Sequence, residues 1–294
     1  MMGARALTLA LGGRWYGRYG AAPCPVCQPA RRRDQNALTL ADGRAGLLLH
    51  CKRAGCGFAE VLAAAGLRAR AHAVPDPIRL ADALAEAKAK AARRAEAAHR
   101  LWQESQPIAG TPAETYLRRR GITCPLPDRL RFHPACWHGP SERRVPAMVA
   151  RVEGGDGFAA HRTYLREDGN GKAGLAGGDK LMLGAAAGGA VRLCEGPGRL
   201  AVAEGLESAL SLLCGLVAGP VQVWAALSTS GMRALRLPRE AGWLVIVADG
   251  DRPGRVAAHA LASRAHALGW RVSLIDPGDG RDANDLLNRK GLAA

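Results

Sequence analysis

The sequence predicts an α/β chain: a doubly wound C-terminal sheet, preceded by a mixed α+β segment and an N-terminal cysteine-bearing ribbon. Three observations predict it. From Arg199 onward, short apolar runs alternate with helix-like stretches, as when parallel strands are joined through helices. Between Pro107 and Leu193, strand-like runs are separated by turns at Gly154-Gly155, Gly169-Asn170-Gly171, Gly177-Gly178 and Gly188-Gly189. Ahead of both, cysteine and glycine concentrate between Gly12 and Gly66.

In that first module, Cys24-Pro-Val-Cys27 sets two thiolates two residues apart, a spacing that chelates one tetrahedral ion. Cys51 and Cys56 form the partner pair, with His50 beside them as a substitute or supporting group. The stretches Asn36–Leu40 and Gly46–His50 suit the strands of a ribbon. The expected zinc ligands are therefore Cys24, Cys27, Cys51 and Cys56, with the choice between Cys51 and His50 open. Cys124, Cys136, Cys194 and Cys214 lack ligand spacing and read as packing residues. Pro75-Asp76-Pro77 then punctuates the chain, and residues 79–104, rich in alanine and poor in breakers, predict a partly exposed connecting helix. Val145–Ala150 reads as a strand of the mixed segment.

The C-terminal region alternates cleanly. Leu200–Ala203 predicts a strand, Glu207–Leu216 a helix, and Val221–Ala226 a strand. Trp243–Ala248 is an unbroken apolar run, as expected for a strand buried on both faces. Arg255–Leu268 predicts a helix, Arg271–Ile275 a strand, and Asn284–Asn288 the start of a last helix. Ligands of such sheets sit beyond the carboxyl ends of the strands. Three of those ends carry acids: Glu204 and Glu207, then Asp249 and Asp251, then Asp276, Asp279, Asp282 and Asp285. Carboxylates grouped in this way suit a hard cation that keeps waters and binds phosphates. Gly205 and Gly250 let the backbone turn close to such a ligand.

The balance of 41 Lys plus Arg against 26 Asp plus Glu, a formal net charge of +15, points to a polyanionic partner. Arg14, Trp15, Tyr16 and Arg18 form an aromatic and basic mixture that suits stacking on unpaired bases, or packing in a core. No secretory signal and no membrane-length apolar run is evident, so a cytoplasmic protein without a membrane partner is expected. No Walker-type phosphate loop appears, so any helicase motor would come from a separate protein.

The segments Leu200-Ala-Val-Ala-Glu204-Gly-Leu-Glu207 and Val247-Ala-Asp249-Gly-Asp251-Arg-Pro-Gly254-Arg255 resemble the two signature motifs of the Toprim domain. Gly280-Arg-Asp282-Ala-Asn-Asp285 resembles the third acidic segment of primases from phages and mobile elements. The residues ahead of them, Arg144–Ala150, Gly157–Leu165 with His161-Arg162, and Gly178-Asp-Lys180, resemble the catalytic core of DnaG-type primases. The four-cysteine module is similar to the primase zinc-binding domain.

This resemblance implies a division into a zinc-ribbon template-binding domain (1–70) and a basic helical linker (71–105). The N-terminal part of a primase core (106–195) and a Toprim domain (196–294) would follow. It implies Glu204, Asp249 and Asp251 as catalytic acids holding Mg²⁺ or Mn²⁺, assisted by Asp282 and Asp285. Arg162 and Lys180, then Arg144 and Lys172, would contact nucleotide or template phosphates. The implied reaction is primer synthesis from nucleoside triphosphates on single-stranded DNA, beside a separate replicative helicase. A Toprim nuclease using the same acids and a non-catalytic DNA-binding adaptor are the alternatives; four tyrosines and no strand-passage gate disfavour a topoisomerase. Because the chain ends soon after the third acidic segment, a phage or mobile-element enzyme is expected.

Overall fold

The computed structural model describes residues 3–29, 36–43, 46–67 and 77–292, which divide into two compact units, Met1–Ala85 and Glu86–Ala294. The boundary expected near residue 70 lies outside the described residues.

In the first unit, helix α1 (Ala4–Ala10) precedes four strands: β1 (Arg14–Trp15), β2 (Gly20–Ala22), β3 (Leu38–Gly43) and β4 (Gly46–Cys51). They pair antiparallel in the order β1-β2-β3-β4. Helix α2 (Phe58–Ala64) follows, and its Val61 and Leu62 join Leu7, Leu38, Leu40, Cys24 and Cys51 in one small core. Such a core is short of apolar surface for a module of this size, where a metal commonly supplies the missing stability. Asp42 Oδ1 accepts from the Ala4 amide at 2.8 Å and anchors the start of α1 to the sheet.

Helix α3 (Pro77–Glu104) leads into the second unit, where its last turns bury Ala98, Leu101 and Trp102. Next come β5 (Gln106–Pro107), α4 (Pro112–Arg119), β6 (Leu130–His138), β7 (Arg143–Val152), β8 (Ala159–Tyr164) and β9 (Lys180–Gly184). The strands form an antiparallel sheet in chain order. Residue alternation gives it two apolar faces. Ala147, Val149, Ala160 and Tyr164 pack toward the end of α3, while Phe132, Met148, Ala150 and Ala159 enter the core that reaches the second sheet.

That second sheet is built from β10 (Val191–Cys194), β11 (Arg199–Ala203), β12 (Val221–Ala225), β13 (Trp243–Val247) and β14 (Arg271–Ile275). Their spatial order is β10-β12-β11-β13-β14. All pairs but the β10 edge are parallel. Helices α5 (Leu206–Ser211) and α8 (Ala283–Leu292) pack on one face, α6 (Thr229–Ala234) and α7 (Arg252–Ala267) on the other. Alternation sorts Ala201, Ala203, Val245 and Val247 to the first core and Leu200, Val202, Leu244 and Ile246 to the second. The doubly wound α/β domain expected from Arg199 onward is present. Two details differ from the sequence reading: the helix expected over Glu207–Leu216 is α5 followed by a wider turn at Leu212–Leu216, and α6 was not anticipated.

Candidate active site

Strand order reverses around β11: β12 lies on one side of it and β13 on the other. Diverging connections open a crevice beyond the carboxyl ends at such a switch point. Glu204 follows β11 directly, and Asp249 stands two residues past β13, whose Val247 is in register with Ala203. The turn at Gly250 is stitched to the third acidic segment, because the Gly250 amide donates to Arg281 O at 2.7 Å and the Gly280 amide to Gly250 O at 2.9 Å. A Cβ at Gly250 would overlap the Gly278 carbonyl oxygen, so this approach requires glycine. Leu227 takes a left-handed φ of 70° and donates its amide to Glu204 O at 2.7 Å. A non-glycine residue in this region is strained, and it lies here at the crevice wall.

The acids act on one another. Burial, then the charges of Asp249 and Asp251, push the Glu204 carboxyl up to about 7. Burial, then Asp282 and Asp251, push Asp249 up to about 6. Glu204 Oε2 and Asp249 Oδ1 are buried and have no hydrogen-bond partner. Orphaned carboxylate oxygens that repel each other fit a hard dication. They are gathered by charge rather than drawn into one shell: among the described residues, the group of three or more donors tight enough to share an ion is the cysteine set. Asp251 also caps α7, its Oδ1 accepting from the Gly254 amide at 2.7 Å.

Of the expected third segment, Asp282 joins the acids through its charge on Asp249. Asp282 and Asp285 also cap α8 reciprocally, each side chain accepting from the other's amide at 3.0 Å. Asp285 is exposed beside Arg281, Asn288 and Arg289. Asp276 and Asp279 are paired with Arg255 at 2.7 Å each, away from this arrangement.

Lys180 opens β9 and is the expected cation that the structure brings to the acids, since its charge favours ionisation of both Glu204 and Asp249. It donates to Glu207 Oε2 at 2.9 Å, while Tyr116 of α4 donates its hydroxyl to Glu207 Oε1 at 2.7 Å. Glu207, 4% exposed, is therefore a buried anchor rather than a free ligand. Lys172 belongs to the same neighbourhood, where burial and then the charge of Lys180 lower its pKa.

Arg162 and Arg144 are not brought there. On β8, alternation sends Arg162 to the face opposite His161 and Thr163, among the side chains beneath α3. Its guanidinium donates to Trp137 O at 3.1 Å and lies over the Tyr164 ring at 5.8 Å. That placement corrects the expectation of a free phosphate contact. Arg144 lies opposite Trp137 on β7 and donates to Ala135 O at 3.2 Å, remaining exposed. On the site's side of β8 stand Thr163, with Oγ1 unpartnered, and the ionisable His161, buried and with Nδ1 unpartnered. Burial, then Lys180, depress its pKa to about 4 and keep the ring neutral. The sequence names His161 beside Arg162 but gives it no role, because all six residues of β8 are buried and its two faces look alike.

In the first unit, the sulfurs of Cys24, Cys27, Cys51 and Cys56 all lie within 4.8 Å of one another. Burial works against ionisation of Cys51, yet the amides of Ala54, Cys56 and Arg53, aimed at its sulfur, bring that thiol down to about 6. The four-residue spacing to Cys56 is absorbed by a turn in which Gly55 has φ 65° and donates to Cys51 O at 3.2 Å. Gln28 braces the first knuckle, its Oε1 accepting from the Cys24 and Ala37 amides at 2.9 and 3.1 Å. His50 is exposed on the neighbouring, outward position of β4, so Cys51 completes the set. Four thiols in this arrangement are the donor set of a structural zinc ribbon.

Fold and acids together define an α/β protein whose carboxylates gather at a topological switch point. Residues 199–293 match the Toprim domain, and the chain carries that domain. Residues 92–193 match a domain of unknown function, DUF7146. Among solved structures, the chain is similar to the zinc binding and RNA polymerase domains of the Aquifex aeolicus primase, at 12% identity and a TM-score of 0.41, covering 98% of this chain and 79% of that one. It is also similar to the primase fragment of the bacteriophage T7 primase-helicase protein, at 14% identity and a TM-score of 0.31, covering 65% and 72%. No curated protein matches the sequence.

Proposed function

We propose that this protein is a DNA primase, joining ribonucleotides into short primers on a single-stranded DNA template. The observation that carries the reading is the pair of buried, unpartnered carboxylate oxygens on Glu204 and Asp249, set at the switch point of a Toprim domain with Lys180 acting on both. In this reading, a 3′-hydroxyl attacks the α-phosphate of the incoming nucleotide and pyrophosphate leaves. Glu204, poised near neutrality, takes the proton of the attacking hydroxyl. Asp249 and Asp251, with Asp282 behind them, would hold Mg²⁺ or Mn²⁺, which supplies charge neutralisation for phosphoryl transfer. Lys180, fixed by Glu207, offsets charge on the phosphates, and positioning rather than covalent chemistry carries the rate. Arg144, exposed on β7, would extend the cationic surface outside the acid cleft, and the cysteine module, holding zinc, presents the template. Unwinding falls to a separate helicase, and the enzyme works in the cytoplasm.

The test replaces Asp249 and Asp251 with Asn and follows labelled nucleotide incorporation on single-stranded DNA. Incorporation should fall by at least about a thousandfold, while template binding is retained. Incorporation at the wild-type rate would refute the reading. Metal-dependent shortening of labelled strands, abolished by the same change, would replace it with a nuclease.

A further inference from the structure

Beside the Glu207 anchor, whose partner Tyr116 forms part of its wall, lies an open pocket of about 520 Å³ lined by Tyr116, Arg119, Arg120, Asn170, Gly171 and Lys172. Its volume is within the ~300–1,000 Å³ usual for small-molecule sites. Three cations from two segments line it: the end of α4 gives Arg119 and Arg120, and the turn after β8 gives Lys172. Among the described residues none of the three has a salt-bridge partner, and Arg120 Nε is buried without any hydrogen-bond partner. The nearby carboxylates are committed. Glu207 holds Lys180 and Tyr116, Asp168 is held by Asn170 at 2.7 Å, and Asp179 accepts from the Leu175 amide at 2.8 Å. Arg118, their neighbour in sequence, is different: it is satisfied by Glu114 and by the Ile122 and Cys124 carbonyls. Lys172 is repelled by both Lys180 and Arg120. Cations crowded around a concave opening and left without anions form a receptor for one.

We propose that this pocket binds the triphosphate of a second nucleoside triphosphate, the one that begins the primer. The assignment rests on the primase reading for the word primer, but the anion site stands on its own geometry. Joining the first two nucleotides requires one to react at its α-phosphate, over the acids, and the other to offer a 3′-hydroxyl and keep its triphosphate intact. A phosphate site lined by cations and no carboxylate holds a triphosphate without exposing it to the metal-binding acids. The convergence of three cations on one opening, rather than along a track, favours a compact polyphosphate over a nucleic-acid backbone.

The experiment measures binding of a fluorescent nucleoside triphosphate to the full chain in excess chelator of Mg²⁺ weak enough to leave zinc bound. It compares wild type, Arg119→Gln with Lys172→Gln, Lys172→Arg, and Asp249→Asn with Asp251→Asn. Metal-free binding should be lost by about tenfold or more in the double glutamine variant. It should survive in Lys172→Arg and in the acid variant, and inorganic triphosphate should compete while the free nucleoside does not. In synthesis assays, the glutamine variant should start primers on bare template about tenfold less often, yet extend a preannealed oligonucleotide at the wild-type rate. Equal binding and initiation by wild type and the glutamine variant would overturn the proposal, as would displacement by single-stranded DNA but not by triphosphate. If the wild-type chain itself synthesises no primers while metal-free triphosphate binding still depends on Arg119 and Lys172, the primase reading fails and the anion site remains.

Discussion

At Glu207 a carboxylate is taken almost wholly out of water and given two donors, Lys180 and Tyr116. Burial alone would raise its pKa. The lysine charge and the two hydrogen bonds outweigh that and hold it down at about 2. A carboxyl depressed below its unfolded value of ~4.3 contributes stability that is complete above that value and is lost as pH falls toward 2. Glu207→Gln should therefore lower stability near neutrality by about 1.5–3 kcal/mol, the worth of a charge-assisted hydrogen bond. The gap from wild type should close between pH 4.3 and 2. Urea midpoints at pH 7 and pH 3 measure it, and an equal gap at both would show that Glu207 is not the ionised anchor. The sequence placed this residue beside Glu204, among the acids at the end of the first strand. Its partners could not be read, because Tyr116 lies 91 and Lys180 27 residues away. Which of His161 and Arg162 faces the site was hidden for a different reason: a strand buried on both faces gives alternation no contrast.

Among the elements, the ribbon shows how far spacing alone carries. Cys24-x-x-Cys27 fixed two ligands, but the wider Cys51–Cys56 interval left His50 and Cys51 as rivals. Strand parity decides between them, since neighbours on β4 point to opposite sides and Cys51 is the one that enters the core. Metal content should therefore stay at one zinc per chain in His50→Ala and fall toward none in Cys51→Ser. The serine variant should also lose the cooperative melting of the first unit, because the metal's binding energy is folding energy in a module with so little apolar core. Atomic emission on the purified chains reads the first outcome and amide exchange the second. Zinc lost in His50→Ala and kept in Cys51→Ser would reverse the ligand assignment. The short α6 escaped prediction because Thr229–Ala234 spans six residues around a glycine, too few for a 3.6-residue period to show.

For the whole molecule, the C-terminal fold was the most legible part. Its two central strands, β11 and β13, are apolar on both faces, so their runs are unbroken, and acids stand just past each. The switch point that makes Glu204 and Asp249 neighbours depends on strand order, which no local pattern encodes. Charge, by contrast, is a property of the entire chain and was readable at once. A net charge of +15 predicts that single-stranded DNA is held largely through counterion release. The logarithm of affinity should fall linearly with that of salt, by about 0.7 per phosphate contact. With roughly five contacts, moving from 50 to 200 mM salt would weaken binding about a hundredfold. Asp249→Asn with Asp251→Asn removes two negative charges beside a polyanion, so template affinity in the absence of divalent metal should rise slightly, with the slope unchanged. Fluorescence anisotropy across a salt series measures both quantities. A flat salt dependence would show that the basic surface is not the nucleic-acid surface, and weaker metal-free binding by the acid variant would show that those carboxylates hold the template directly.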